Sequence, residues 1–498
     1  MTERSVRMNA LSVSSKRFGG KYGQSDYLQL WYTNSAKESH YIVYQLQKYQ
    51  DSNDYYLAKY ATLNRHASSA NMYMRNELFI PYVEDFQVIL KDKEGKTVVV
   101  AVIDTGIDIK HEDLNESIWV NEDEVPDNGI DDDGNGYVDD IHGWNFLGDS
   151  PGDQYELIRL LKTGTDFENK DLAIKKYAEM ISKEGVKDSL PLIEKNLASN
   201  LYYYENDVKQ AKQLGYNART TGDDPDDFLQ QFYGDGNVMP KSDYELHGTH
   251  VAGIIAAVRN NSLGMDGVSS TAKIMCLRAV PNEGDEYDKD IALSIRYAAD
   301  NGAQIINMSF GKDFSPHSDK VREAVMYAET KGVLLVNAAG NDGANIDEVF
   351  SYPNDNFQNE PEVSSNFITI GAIGPVKNPL IIAPFSNYGK YNLDLFAPGA
   401  VIYAPVPSNQ YEVLSGTSMA APSVSGVAAL ILSYYPKLSP KAVRKVLMES
   451  VVKIDYELDL GYDRVQTSMD AISKTGGVVN AYNALLYASD HYKTLRKL

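Results

Sequence analysis

Apolar residues in this chain fall in short unbroken runs, and several of the runs stop abruptly at a polar side chain. Val98-Val99-Val100-Ala101-Val102-Ile103 is continuous and mostly β-branched, the pattern of a strand buried on both faces, and it ends at Asp104. Gly332-Val333-Leu334-Leu335-Val336-Asn337-Ala338-Ala339-Gly340 reads as another strand and delivers Asn341 at its end. Residues 304–309 and 366–371 are shorter apolar strands, whereas 290–299 and 318–330 carry helical periodicity. Strand and helix therefore alternate, which predicts an α/β fold: a mostly parallel sheet with helices on both faces. Open sheets of this kind place their chemistry at the strand ends, where Asp104 stands.

Two further runs are built from small residues and read as tightly packed helices. One is Leu246-His247-Gly248-Thr249-His250-Val251-Ala252-Gly253-Ile254-Ile255-Ala256-Ala257; the other begins Ser415-Gly416-Thr417-Ser418-Met419-Ala420-Ala421-Pro422 and ends in Tyr434-Tyr435-Pro436. A histidine opens the first and a serine the second. Helix N-termini present unpaired N–H groups and partial positive charge, which suits a developing oxyanion. A serine hydroxyl is a poor nucleophile until a base takes its proton, and histidine is the side chain that titrates nearest neutrality. A carboxylate behind the histidine would fix its tautomer. Taken singly, Asp104, His247 and Ser418 read as an ordinary core aspartate and two helix caps; together they supply all three roles.

The composition narrows the partners. The chain has 498 residues and a net charge of −22, from 47 Lys plus Arg against 69 Asp plus Glu, so nucleic acid is an unsuitable partner. No run of about 18 uninterrupted apolar residues predicts a membrane span, and residues 1–20 lack the apolar core of a signal peptide. The single cysteine, Cys276, sits in an apolar run and reads as a small buried hydrophobe. Acidity is dense in one place, residues 127–140. There Asp131, Asp133, Asn135, the Tyr137 carbonyl and Asp139 fall at the first, third, fifth, seventh and ninth places of an EF-hand-like loop, which predicts calcium. His142 stands where the closing glutamate would be, so a carboxylate from outside the loop has to complete the shell.

The Asp104-Thr105-Gly106, His247-Gly248-Thr249-His250 and Gly416-Thr417-Ser418-Met419-Ala420 motifs, in that order, resemble those of the subtilisin-like serine proteases. The likeness covers most of residues 96–490. It implies that Asp104 orients, His247 acts as general base, Ser418 is the nucleophile and His250 is structural. It also implies that Asn341, in an Ala-Ala-Gly-Asn motif, donates to the oxyanion beside the Ser418 N–H. Substrates of such enzymes are proteins or peptides, gripped as a strand between segments corresponding here to Ser309-Phe310-Gly311 and Ala338-Ala339-Gly340. The main specificity pocket would have Ser351 as its floor and Asp342 at its rim, preferring large apolar or basic side chains. Calcium is common in the family, and a second site would map onto Asp113 and Asn261, in a loop one residue longer than usual. The family also suggests a secreted or cell-envelope location, with the signal peptide absent from this chain and a cytoplasmic location left open. Two other readings stay in view: a catalytically silent peptide-binding protein, and an esterase or peptide ligase using the same site. The oligomeric state is left open.

Two segments match nothing in that core. Residues 1–85, tyrosine-rich and helix-compatible, form an N-terminal extension that is a propeptide or an accessory segment; 86–498 would be the peptidase domain. Within it, a helical insertion runs from about 149 to 243, with helical spacing over 154–183 and 187–214 and a polar return at 221–227. A charged insertion of this kind reads as a solvated outwork, or as a wall that restricts substrate access.

Overall fold

The computed structural model describes the backbone of residues 13–20, 23–33, 39–48 and 55–58, and residues 95–498 other than 151–154, 164–169, 171, 177–218, 260, 283, 357–360 and 376–378. Its centre is a nine-stranded sheet. After four N-terminal strands, β1 (Val13–Gly20), β2 (Gly23–Thr33), β3 (Ser39–Lys48) and β4 (Tyr55–Ala58), the chain contributes β5 (Val98–Asp104), β6 (Gly143–Asn145), β7 (Ala272–Arg278), β8 (Ile305–Met308), β9 (Leu334–Ala338), β10 (Phe367–Ile373) and β11 (Leu395–Pro398). Then come a hairpin, β12 (Ile402–Val406) with β13 (Gln410–Leu414), the short β14 (Val452–Lys453), a second hairpin of β15 (Leu458–Leu460) and β16 (Val465–Thr467), and β17 (Gly477–Val478). The large sheet has the order β14-β17-β11-β10-β9-β8-β5-β7-β6, and every pairing in it is parallel except β14 with β17.

Strand alternation divides the core between the two faces. Val98, Val100 and Val102 of β5 point to one apolar cluster and Ala101 and Ile103 to the other. The first face carries α2 (His247–Ala256), α5 (Thr417–Tyr434), α6 (Pro440–Glu449) and α8 (Ala481–Leu495); the second carries α3 (Asp288–Asp300) and α4 (Ser318–Thr330). Two further helices among the described residues are α1 (Glu156–Thr163) and the one-turn α7 (Met469–Ile472). Caps follow the residue types: Ser439, followed by Pro440, accepts from the Ala442 N–H at 3.2 Å, and Asn480 from Asn483 at 2.9 Å. α5 is long and apolar enough to cross a membrane, but nearly all of it is buried in the protein, so it is the core helix of the sheet. Cys276 is buried as expected.

The N-terminal segment differs from its helix-compatible reading. β1 to β4 pair antiparallel in sequence order, with Gly20 opposite Gly23 and Leu28 opposite Tyr44. The signal was in Tyr41-Ile42-Val43-Tyr44, whose aromatic and β-branched residues fit a pleated surface better than a helix.

The described parts of residues 149–243 also depart from a solvated outwork. α1 presents Glu156 to the buried Lys312 at 2.8 Å, and Arg159 donates to the carbonyls of Asp285 and Glu286 at 3.0 and 3.1 Å. Just before the polar return, the Arg219 side chain is only 3% exposed and pairs with Asp223 at 2.7 Å and with Asp290 of α3 at 2.8 Å. The second helical stretch, 187–214, lies outside the described residues.

Candidate active site

Asp104 ends β5 and is almost fully buried; its Oδ1 accepts the Thr105 N–H at 2.8 Å and lies 2.7 Å from Nδ1 of His247. Gly248 allows this approach, because a Cβ there would stand 2.3 Å from the Gly106 carbonyl oxygen and 3.2 Å from Asp104 Oδ1. Burial of the imidazole disfavours its protonation, but the Asp104 charge and hydrogen bond outweigh that, and the His247 pKa is raised. His250, three residues on, behaves differently. Its Nε2 faces the carbonyls of Ile402 and Glu412 at 3.1 and 3.2 Å, and burial, then the neighbouring His247, lower its pKa to about 3. It is a neutral imidazole that ties α2 to β12 and β13.

Ser418 is the second residue of α5, so its N–H precedes the first intrahelical bond. Its hydroxyl donates to the Ser309 carbonyl at 3.0 Å, and among the described residues no hydrogen bond joins it to His247. The Ser418 carbonyl would normally accept from the residue four positions on, but that residue is Pro422, which has no N–H. The freed oxygen accepts instead from the Ser309 hydroxyl at 2.9 Å. Asn307 donates to that hydroxyl at 2.9 Å and accepts from Ser425 at 2.9 Å. The Ser418 hydroxyl and carbonyl are thus both held to Ser309, just beyond β8.

Asn341 stands just beyond β9 on a turn that only glycine adopts easily: Gly340 has φ +101°, and a Cβ there would meet Asn387 at 2.3 Å. Asn387 fixes the turn, donating to the Ala339 carbonyl at 2.9 Å and accepting the Asp342 and Ala344 N–H groups at 3.0 and 2.9 Å. The Asn341 Oδ1 is taken by Thr417, from its N–H at 2.8 Å and its hydroxyl at 3.1 Å. Its Nδ2 is left as a donor on the same side as the start of α5.

The expected binding segments lie at the ends of β8 and β9. Phe310 and Gly311 follow Ser309, and Ala338 and Ala339 precede Gly340. Ser351 and Ala339 line one cavity with Asn337, Pro353 and Asp355; Asp342, exposed, is not part of that lining.

The acidic loop has a different arrangement from its linear spacing. Carboxylate oxygens of Glu124, Asp133 and Asp140 lie within 4.8 Å of one another. Asp131 accepts the Asn135 and Gly136 N–H groups, and Asp139 those of Asn128 and Gly129. Asn135 donates to Asp133 and Asp140, while the Tyr137 ring is buried against Trp144 and Tyr297. Asp113 and Asn261 do meet, at 2.6 Å, with Met265 N–H and the Tyr411 hydroxyl also donating to Asp113.

Arg278, Asn307 and Asn387 had no motif to reveal them. Arg278, fully buried at the end of β7, donates to the Thr105 carbonyl at 2.9 Å, to Gly148 and Ser150 at 3.0 and 2.8 Å, and to Glu245 at 3.2 Å. A charge closing an apolar strand next to the Asp104 strand was the one available signal.

A sheet of this topology, with an Asp–His pair at one strand end and a serine opening the central helix, defines a serine hydrolase scaffold. The Subtilase family model matches residues 95–477, more than three quarters of the chain, and the chain belongs to that family of serine endopeptidases. It is 37% identical over 250 residues to the thermophilic serine proteinase of Bacillus sp. (strain AK1), a match covering 49% of this chain and 53% of that protein. It is 36% identical over 246 residues to thermitase of Thermoactinomyces vulgaris, covering 48% and 75%, and 36% identical over 215 residues to the cell wall-associated protease of Bacillus subtilis (strain 168), covering 43% and 22%. The match thus spans about half the length of the first of these relatives.

Proposed function

We propose that this chain cleaves peptide bonds within polypeptides through an acyl-enzyme, with residues 86–498 as the peptidase unit, 149–243 as its insertion and 1–85 as an N-terminal extension. The 2.7 Å Asp104–His247 contact carries the reading. Held through Nδ1, His247 keeps Nε2 as the basic nitrogen. Ser418 would turn its hydroxyl from the Ser309 carbonyl to His247 and attack, while its own N–H and Asn341 Nδ2 hold the oxyanion. Returning the proton through His247 expels the amine, and water completes hydrolysis. An extended substrate would pair with the backbone at Ser309-Phe310-Gly311 and Ala338-Ala339-Gly340, which makes affinity largely indifferent to sequence. Labelling by a fluorophosphonate that is lost in Ser418→Ala would support a working nucleophile; no labelling of the wild type would sink it. Product analysis on casein against ester substrates separates peptidase from esterase. The name of the cell wall-associated relative favours a secreted or cell-envelope location.

Asn341→Ala should lower kcat by roughly a hundred- to a thousandfold, the scale known for the side-chain oxyanion donor of subtilisin, and leave KM nearly unchanged. Steady-state kinetics check this. A rise confined to KM would mean that Asn341 serves binding instead.

Calcium fits the Glu124–Asp133–Asp140 cluster. Its donors are hard oxygens, Glu124 and Asp140 are buried, and burial followed by the Asp133 charge raises the Asp140 pKa against its hydrogen bonds. When bound, the ion would neutralise this repulsion and stabilise the loop; no reacting group is served there. The Asp113–Asn261 pair is the second candidate. Chelation should lower the melting temperature with little immediate effect on initial rate, since a ligand of the native state stabilises by about 2.7 kcal/mol at a hundredfold excess over its Kd. Asp133→Ala should mimic chelation. An unchanged melting temperature would eliminate an exchangeable structural ion.

A further inference from the structure

The cavity beside Ala339 holds two buried oxygens that lack donors. Asn337, 4% exposed on β9, gives Nδ2 to the Pro353 carbonyl at 3.3 Å, which turns its Oδ1 the other way, and that oxygen has no hydrogen-bond partner. Asp355, 8% exposed, has an equally unpartnered Oδ2. Both side chains line the same cavity, and both orphan atoms are acceptors. Buried acceptors are ordinarily satisfied, so the two together call for a donor from outside the chain.

The surroundings decide which donor. Asp347 and Glu348 also line the cavity, and among the described residues no lysine or arginine does. Behind Asp355, the cations Arg444 and Lys474 are already engaged: Arg444 pairs with Glu362 at 2.7 Å and Asp394 at 2.8 Å, and Lys474 with Asp394 at 3.1 Å and with Glu362. Burial, then the Glu362 and Asp394 charges, raise the Asp355 pKa to about 7 against the pull of Arg444 and Lys474. A cation entering from the cavity would relieve that. A calcium ion would want six to eight oxygens, and two unmet acceptors fall well short of that number.

The cavity also has the right address. Ala339, part of a proposed substrate-pairing segment, and Ser351, the proposed floor of the main specificity pocket, both line it, and Ala339 lies two residues before Asn341. We infer that the cavity selects a lysine or arginine on the N-terminal side of the cleaved bond, with Asp355 and Asn337 receiving the ammonium or guanidinium. An apolar side chain of equal length would bury both acceptors without a donor, and a site built to hydrogen-bond its ligand rejects the analogue lacking that group. This inference rests on the peptidase reading above and narrows its substrate class.

The test compares two peptides that differ only at that residue, lysine against the nearly isosteric norleucine, with the full-length wild-type protein. The lysine peptide should have a kcat/KM higher by roughly tenfold to a hundredfold, the range for a hydrogen bond to a charged group. In Asp355→Asn the ratio should fall toward one, and because it is a ratio within one protein, a general loss of activity does not affect it. Benzamidine serves as a second probe that needs no turnover: it should bind the wild type by calorimetry and bind Asp355→Asn at least tenfold more weakly. A wild type that cleaves both peptides equally, or prefers norleucine, overturns the inference while the peptidase reading stands. Benzamidine binding that depends on Asp355, in a protein that cleaves neither peptide, would support the cation-binding cavity and overturn the peptidase reading. Failure of benzamidine to bind overturns the inference whatever the turnover.

Discussion

Ser418→Ala should lose about a millionfold in kcat, and His247→Ala about as much, the scale known for the subtilisin triad to which the proposed roles correspond. The two losses should be nearly equal, and the double variant should lose little more, because nucleophile and base act on one proton. What remains would come from binding and from Asn341 with the Ser418 N–H, which neither substitution removes. The pH profile provides an independent check. Activity requires neutral His247, and Asp104 raises its pKa, so kcat/KM should rise with pH along a limb centred above the value of about 6.5 for a free imidazole. Near-normal peptidolysis by either single variant, or an acid limb below that of a free imidazole, would refute the assignment.

The reach of the sequence is set by how local each signal is. Asp104, His247, Ser418 and Asn341 could be singled out because each stands at or just beyond the end of an element whose apolar pattern is strong, and the fold joins Asp104 to His247 and Asn341 to Thr417 beside Ser418. The framework elements were legible for the same reason: the predicted helix over 318–330 is α4, and the run from Val98 is β5. Residues whose role is defined by distant partners gave no sign of it. Asn387 serves a turn some 45 positions earlier, Arg278 reaches back 173 positions to Thr105, and Asp355 acquires meaning only from the cavity it lines. The acidic loop shows the same limit at short range. Linear spacing picks out Asp131 and Asp139, whose carboxylates here accept local N–H groups, whereas the carboxylates that the fold brings within 4.8 Å of one another are those of Glu124, Asp133 and Asp140. The misread extension is the strand version of the problem, since a register is fixed by the partner strand and not by either sequence alone.

Arg278→Met should destabilise the fold by about 3–5 kcal/mol, the cost of leaving a buried charge without its partner. The guanidinium is fully buried and donates to Thr105, Gly148, Ser150 and Glu245, so it joins the strand end bearing Asp104, the loop after β6 and the segment leading into His247. Methionine fills much of the same volume and removes every donor. Glu245, 1% exposed, would then be a buried carboxylate whose pKa burial already raises, with Arg278 the main opposing influence. Glu245→Gln in the same chain should therefore recover a large part of the loss, a coupling that independent sites would not show. Denaturant midpoints of the two single variants and the double variant measure it. The folded fraction of Arg278→Met should also lose more in kcat than in KM, because the Thr105 carbonyl that Arg278 holds is one residue from Asp104 and Glu245 is two residues before His247. Equal midpoints for wild type and Arg278→Met, or additive losses in the double variant, would show that the guanidinium is a passenger in this core and that the Asp104–His247 geometry is held by β5 and α2 without it.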